Sequence, residues 1–150
     1  MPLDPITMLT ISIALAAAAA LYLAPFAGPA PVYSPINELS FTSWGLSVHM
    51  FGCLNRYDAR AATEAKRQLV RATLAGCDAI WEVTPGARML HCDPLINVIA
   101  PPAQPGQPDW SQQAAAWHDA QFDAWDMLCG RREPELGGSV RYLDLIGANY

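Results

Sequence analysis

Asn37 and Glu38 stand side by side where an apolar run, residues 31–36, ends. An amide followed by a carboxylate at a strand end is a common way for an enzyme to present an acid at the edge of a parallel sheet. Such an acid can protonate the oxygen leaving a glycosidic bond while a second carboxylate works on the opposite side of the sugar. The acid form must persist near neutral pH, which calls for apolar or anionic surroundings. Ile36, Leu39, Phe41 and Trp44 are placed to wall it, and an indole such as that of Trp44 also suits the flat face of a sugar ring. The Asn37 amide can hold a sugar hydroxyl. The plainer alternative is that Glu38 caps a loop.

Two further polar groups follow later apolar runs. His91, Asp93 and Asn97 gather at the end of the second, where they can bind hydroxyls or orient Glu38. A metal is not expected there, because the neighbours His91 and Cys92 point to opposite faces of a strand. Asn149 and Tyr150 end the third run, and a phenol at that point can hydrogen-bond a catalytic carboxylate. His49 and His118 have no evident partners. Cys53, Cys77, Cys92 and Cys129 form no C-x-x-C pair, so a zinc ribbon or thioredoxin motif is not expected and buried free thiols in a reducing compartment are the expectation.

The elements that would position these groups alternate between helix and strand. Residues 7–23 read as a helix, broken by Pro25, Gly28, Pro29 and Pro31. Residues 32–37 read as a strand on their β-branched and aromatic content, and residues 39–58 as a long connection. Asp58 can cap a helix over 59–83, with Leu69, Leu74, Ile80 and Trp81 inward and Glu64, Lys66, Arg67 and Arg71 outward. A strand over 88–92 is closed by Asp93-Pro94. A Pro-rich loop leads to a helix over 111–128, which Gly130 stops. Gly137-Gly138 turn the chain into a last strand over 142–149. From Glu38 to Asp93 is 55 positions and from Asp93 to Tyr150 is 57, near-equal steps of the kind successive βα units of a parallel sheet give. A plain barrel unit needs roughly 31 residues. The excess lies in the connections after each strand, where barrels carry their sites. No glycine-rich phosphate loop follows a strand, which argues against a nucleotide-binding doubly wound sheet.

At 150 residues with 52% apolar and 15% charged side chains, the chain can build a real core and is not a disordered segment. Its net charge of -5, with no basic run, excludes an electrostatic nucleic-acid footprint. Residues 11–23 are almost wholly apolar, with five alanines at 16–20. Asp4 and no basic residue precedes them, and the run is short for a bilayer span, so a buried helix and a cytoplasmic protein are expected. Secretion or membrane anchoring through this run is the alternative.

Pro35-Ile36-Asn37-Glu38 resembles the acid/base strand of the retaining glycoside hydrolase clan that includes the family 1 β-glucosidases. Asp144-Leu145-Ile146-Gly147-Ala148-Asn149-Tyr150 resembles their sixth-strand segment, Asp-x-x-Gly-x-Asn-Tyr. Residues 87–94 would be the fifth strand, and residues 120–128 look like the helix before the sixth strand in bacterial β-glucosidase-like proteins. These matches run from about residue 31 to 150. The resemblance implies a partial (β/α)8 barrel over 31–150 behind an alanine-rich helix at 1–30, with alternating helices and parallel strands. It implies Glu38 as acid/base, Asn37 on the sugar 2-hydroxyl, Tyr150 beside the nucleophile, a carbohydrate substrate and no cofactor. Leu39 stands where the family has proline, and no match appears for the first three strands or for the seventh-strand nucleophile. Glu133 and Glu135 precede the last strand and cannot replace that nucleophile. The expectation is therefore a truncated, inactive chain with exposed sheet edges, which an oligomer could cover. A non-catalytic sugar-binding or interaction module is the alternative.

Overall fold

The computed structural model describes the backbone of residues 5–26, 28–48, 50 and 59–150. His49, Cys53 and the expected cap Asp58 lie outside these residues. Helix α1 (Pro5–Leu23) starts on a proline, which needs no partner for a missing N–H, and stops before Pro25. It packs on α3 (Ala59–Val83). The approach is close because the contact side is small: Ala20 is fully buried, Ala16 lies on the core, and a β-carbon added at Gly76 of α3 would sit 3.8 Å from that of Ala16. Among the described side chains of α1, Ala20 is buried and Ile13, Ala16 and Ala17 are partly covered. Leu15, Leu21 and Tyr22 are exposed, so the expected buried helix is half-buried instead. Among the described residues no helix is long and apolar enough to cross a membrane.

The sheet holds β1 (Val32–Tyr33), β2 (Arg88–Pro94) and β3 (Leu145–Asn149). All pairings are parallel and the strands lie in chain order, β1-β2-β3. β1 is shorter than residues 32–37 suggested, because the chain bends at 35–37 and Pro35 has no N–H for a ladder. β3 starts at Leu145 rather than 142, since residues Val140–Tyr142 form a 3-10 turn. Alternation along β2 buries Met89, His91 and Asp93 on one side, and the core cluster takes in Met89 together with Val70, Leu74, Cys77 and Ile80 of α3. The other side carries Leu90 and Cys92 beside Leu145 and Gly147. A side chain at position 147 would collide with the Cys92 thiol, so glycine lets Cys92 lie across β3.

Residues 39–58, read as connection, contain a helix, α2 (Leu39–Ser47), which packs on α3. The single helix expected over 111–128 is two, α4 (Ser111–Ala120) and α5 (Asp123–Leu128). At the break the Gln121 side chain donates to the His118 carbonyl and accepts from the Ile96 N–H. Gly130 ends α5 as expected, at φ 77, a left-handed position that glycine adopts without cost. Cys77 is buried in α3, its thiol pushed up to about 12 by burial, and Cys92 and Cys129 are also free.

Candidate site at the carboxyl end of the sheet

The three strand ends are tied to one another through the residues the sequence singles out. After β1 the chain returns to β2, where the Glu38 N–H donates to the Cys92 carbonyl at 2.9 Å. On the far side the Leu95 N–H donates to the Asn149 carbonyl at 2.9 Å. The Asn149 side-chain amide then crosses the sheet end and donates to Glu38 Oε1 at 2.5 Å. Glu38 and Asn149, 111 positions apart, thus form one polar pair, with the Glu38 carboxylate half-exposed.

Glu38 occupies the left-handed region at φ 55 and ψ 57, uncommon for a residue with a side chain. Two neighbours hold it there. One is the Cys92 carbonyl just described. The other is Asp93, 1% exposed, whose carboxylate accepts the Ser40 N–H at 3.1 and 3.2 Å and the Phe41 N–H at 3.1 Å. These N–H groups belong to the first turn of α2, which has no partner for them within the helix. Asp93 therefore caps α2 from the next strand, where the helix dipole also favours an anion. Burial pushes the Asp93 carboxyl up, and its bonds to Ser40 and Phe41 and the Lys66 ammonium oppose that. Lys66 itself pairs with Asp123 at 3.1 Å.

His91 lies two residues further into β2 and is 1% exposed. Its Nε2 is 2.7 Å from the Tyr142 carbonyl, and since a carbonyl only accepts, Nε2 carries the proton. Among the described residues Nδ1, then a bare and buried acceptor, has no partner. Burial lowers the imidazole below its ordinary value. His91 and Asp93 are thus brought near Glu38 by the strand but turned into the interior, where neither meets solvent. Asn37 is exposed beside Glu38, and Tyr150 projects fully into solvent.

Trp44 and Asn97 go elsewhere. With Phe41, Ile99 and Trp117 they line a cleft of about 790 Å³ between α2, α3, the loop after β2 and α4. Glu38 and Asn149 are not among its walls. The polar groups of the cleft are largely engaged with one another: Ser43 and Ser47 donate to Ser40 and Trp44 carbonyls, and Lys66 pairs with Asp123. Among the described residues no group of three or more His, Cys, Asp or Glu is arranged to hold a metal. Sequence reasoning missed the capping role of Asp93. No local signal pointed to it, because residues 39–58 read as connection and the helix that Asp93 caps was not expected. Glu133, set aside as a nucleophile, pairs with Arg67 at 2.6 Å.

No family model matches the chain, and no curated protein or solved structure matches it either.

Proposed function

We propose that this chain is the acid-bearing section of a (β/α)-barrel glycoside hydrolase acting on β-glycosides with retention. The observation that carries the reading is the Glu38–Asn149 pair at the carboxyl end of a parallel sheet whose strands lie in chain order. That is the end at which barrels place their chemistry. In this reading Glu38 protonates the departing sugar oxygen and later takes a proton from water, Asn37 meets the 2-hydroxyl, and Tyr150 stands next to the nucleophile. His91 and Asp93, being buried, support the sheet end rather than touch sugar.

A retaining reaction needs a second carboxylate about 5 Å from the first. The nearby Asp93 carboxylate is occupied by the α2 N–H groups, so the reading assigns the nucleophile to further strands of the barrel. A second reading, a sugar-binding module without turnover, is favoured by the cleft and its exposed Trp44 and Trp117.

Both readings are tested with a panel of aryl β-glycosides and Glu38→Gln as control. The glycosidase reading expects saturable binding by both chains, with turnover by the 150-residue chain no higher than the variant's. Binding by neither chain overturns it, and hydrolysis that survives Glu38→Gln assigns the chemistry to other residues.

A further inference from the structure

Two hydrogen-bond systems meet at the short segment from Glu38 to Phe41. The Asn149 amide holds the Glu38 carboxylate, and the Asp93 carboxylate holds the Ser40 and Phe41 N–H groups. Between them the Glu38 backbone sits in a conformation that costs free energy for a non-glycine residue and persists only where its surroundings over-determine it. Asp93 is on β2, 53 positions from Ser40, and is the group that fixes how α2 leaves Glu38. If the grip were lost, the first turn of α2 would be uncapped and Glu38 could relax toward ordinary backbone angles. Its side chain would then swing away from Asn149, although neither partner of that contact had been altered.

We infer that Asp93 is a positioning residue, which sets the Glu38 carboxylate against Asn149 by capping α2 across the sheet end. The inference rests on the glycosidase reading for what Glu38 then does. It goes beyond that reading in giving the buried β2 carboxylate a function that is neither sugar contact nor general stability.

The test uses the full 150-residue chain with ¹⁵N label, and reads the Asn149 side-chain amide, identified by its absence in Asn149→Ala. The Trp81 indole N–H, which donates to the Ala87 carbonyl at the opposite end of the sheet, reports whether the fold is intact. Asp93→Asn keeps a carbonyl oxygen for both N–H groups, and the Asn149 signal is expected to stay at its wild-type position. Asp93→Ala removes the cap, and the Asn149 signal is expected to move to the position it takes in Glu38→Ala, with the Trp81 signal unmoved. Asp93→Ser, whose hydroxyl is too short to reach both N–H groups, carries the same test should the alanine variant not fold. A lowered melting temperature in the alanine or serine variant with the Asn149 signal unmoved would make Asp93 a structural residue only and overturn the inference. Titration with methyl β-glucoside separates the two failures. If the glycoside moves no signal at Glu38 or Asn149 in the wild type, the sugar reading fails while the positioning result stands by itself.

Discussion

The two ends of the sheet are built differently. At the amino end Arg88, Asp144, Arg141, Trp81 and Tyr142 are engaged with one another or with their neighbours. Arg88 makes two bonds to Asp144, at 2.6 and 2.7 Å, and Asp144 also accepts the Met89 N–H. Arg141 lies over the rings of Trp81 and Tyr142, at 4.5 and 5.0 Å, and the Tyr142 hydroxyl donates to Asp78. At the carboxyl end Asn37 and Tyr150 reach into solvent, and among the described residues the Glu38 carboxylate has one protein partner, on one of its oxygens. One end uses its polar groups on itself and so stabilises the chain. The other keeps polar groups in reserve, as a site that must bind something does.

The comparison breaks most visibly at the amino end. Trp81→Ala removes the ring that carries Arg141 and Tyr142 and the indole bond to Ala87. It should cost about 3 kcal/mol in urea unfolding while leaving the Asn149 side-chain signal in place. Movement of that signal would mean that the two ends are coupled.

A smaller effect is expected from Asp93. Removal of the cap in Asp93→Ala should cost about 1–2 kcal/mol. Asp93→Asn, which keeps an acceptor and buries no charge, should stay within about 1 kcal/mol of the wild type. Because burial raises the Asp93 carboxyl above its ordinary 3.8, the folded chain holds that proton more tightly than the unfolded chain. Its contribution is therefore full below pH 3.8 and is lost as pH rises through the folded value, and Asp93→Asn should abolish that dependence in an acid-range unfolding series.

His91 acts with the opposite sign. Its folded value is depressed below the ordinary 6.5 by burial, with the Tyr142 carbonyl and the Asp144 charge opposing. Stability is therefore full above pH 6.5 and falls as pH drops through the folded value, when the buried ring must gain a charge. Thermal unfolding between pH 8 and 5 should show this loss, and His91→Gln, which keeps a donor for the Tyr142 carbonyl, should flatten it.

The smallest change in stability is expected for Glu38→Gln, within about 0.5 kcal/mol of the wild type, since the side chain is half-exposed. A large loss would turn Glu38 into a structural residue and erase the contrast between the two ends.

Much of this frame was legible in the chain. The long helix reads from Leu69, Leu74, Ile80 and Trp81 at near-helical spacing, and α3 has the bounds that pattern gives, although its buried face is Val70, Leu74, Cys77 and Ile80, with Leu69 and Trp81 at its margin. Near-equal spacing of the polar strand ends anticipated a parallel sheet, and the strands are parallel and in chain order. What escaped was held by distant contacts. Leu39–Ser47 is rich in Ser, Thr, Gly and aromatic residues, which are weak helix formers, and its first turn is capped by a residue 53 positions away. The break between α4 and α5 coincides with the bond from Ile96 to Gln121, again outside any local window. In the same way the placement of Trp44 and Asn97 in a separate cleft follows from how α2 and α4 pack, not from their proximity in sequence to Glu38 and Asp93.

The central claim is that Glu38 is an acid set to face a sugar, and affinity labelling tests it most directly. N-Bromoacetyl-β-glucosylamine carries a nitrogen in place of the leaving oxygen of a β-glucoside and its reactive carbon two bonds beyond, on the leaving-group side. A carboxylate oxygen poised there displaces bromide and forms an ester. The account predicts a single label on Glu38 in peptide mass mapping, slowed by excess glucose and absent from Glu38→Gln. Labelling spread over the exposed carboxylates, or none at Glu38, would contradict it.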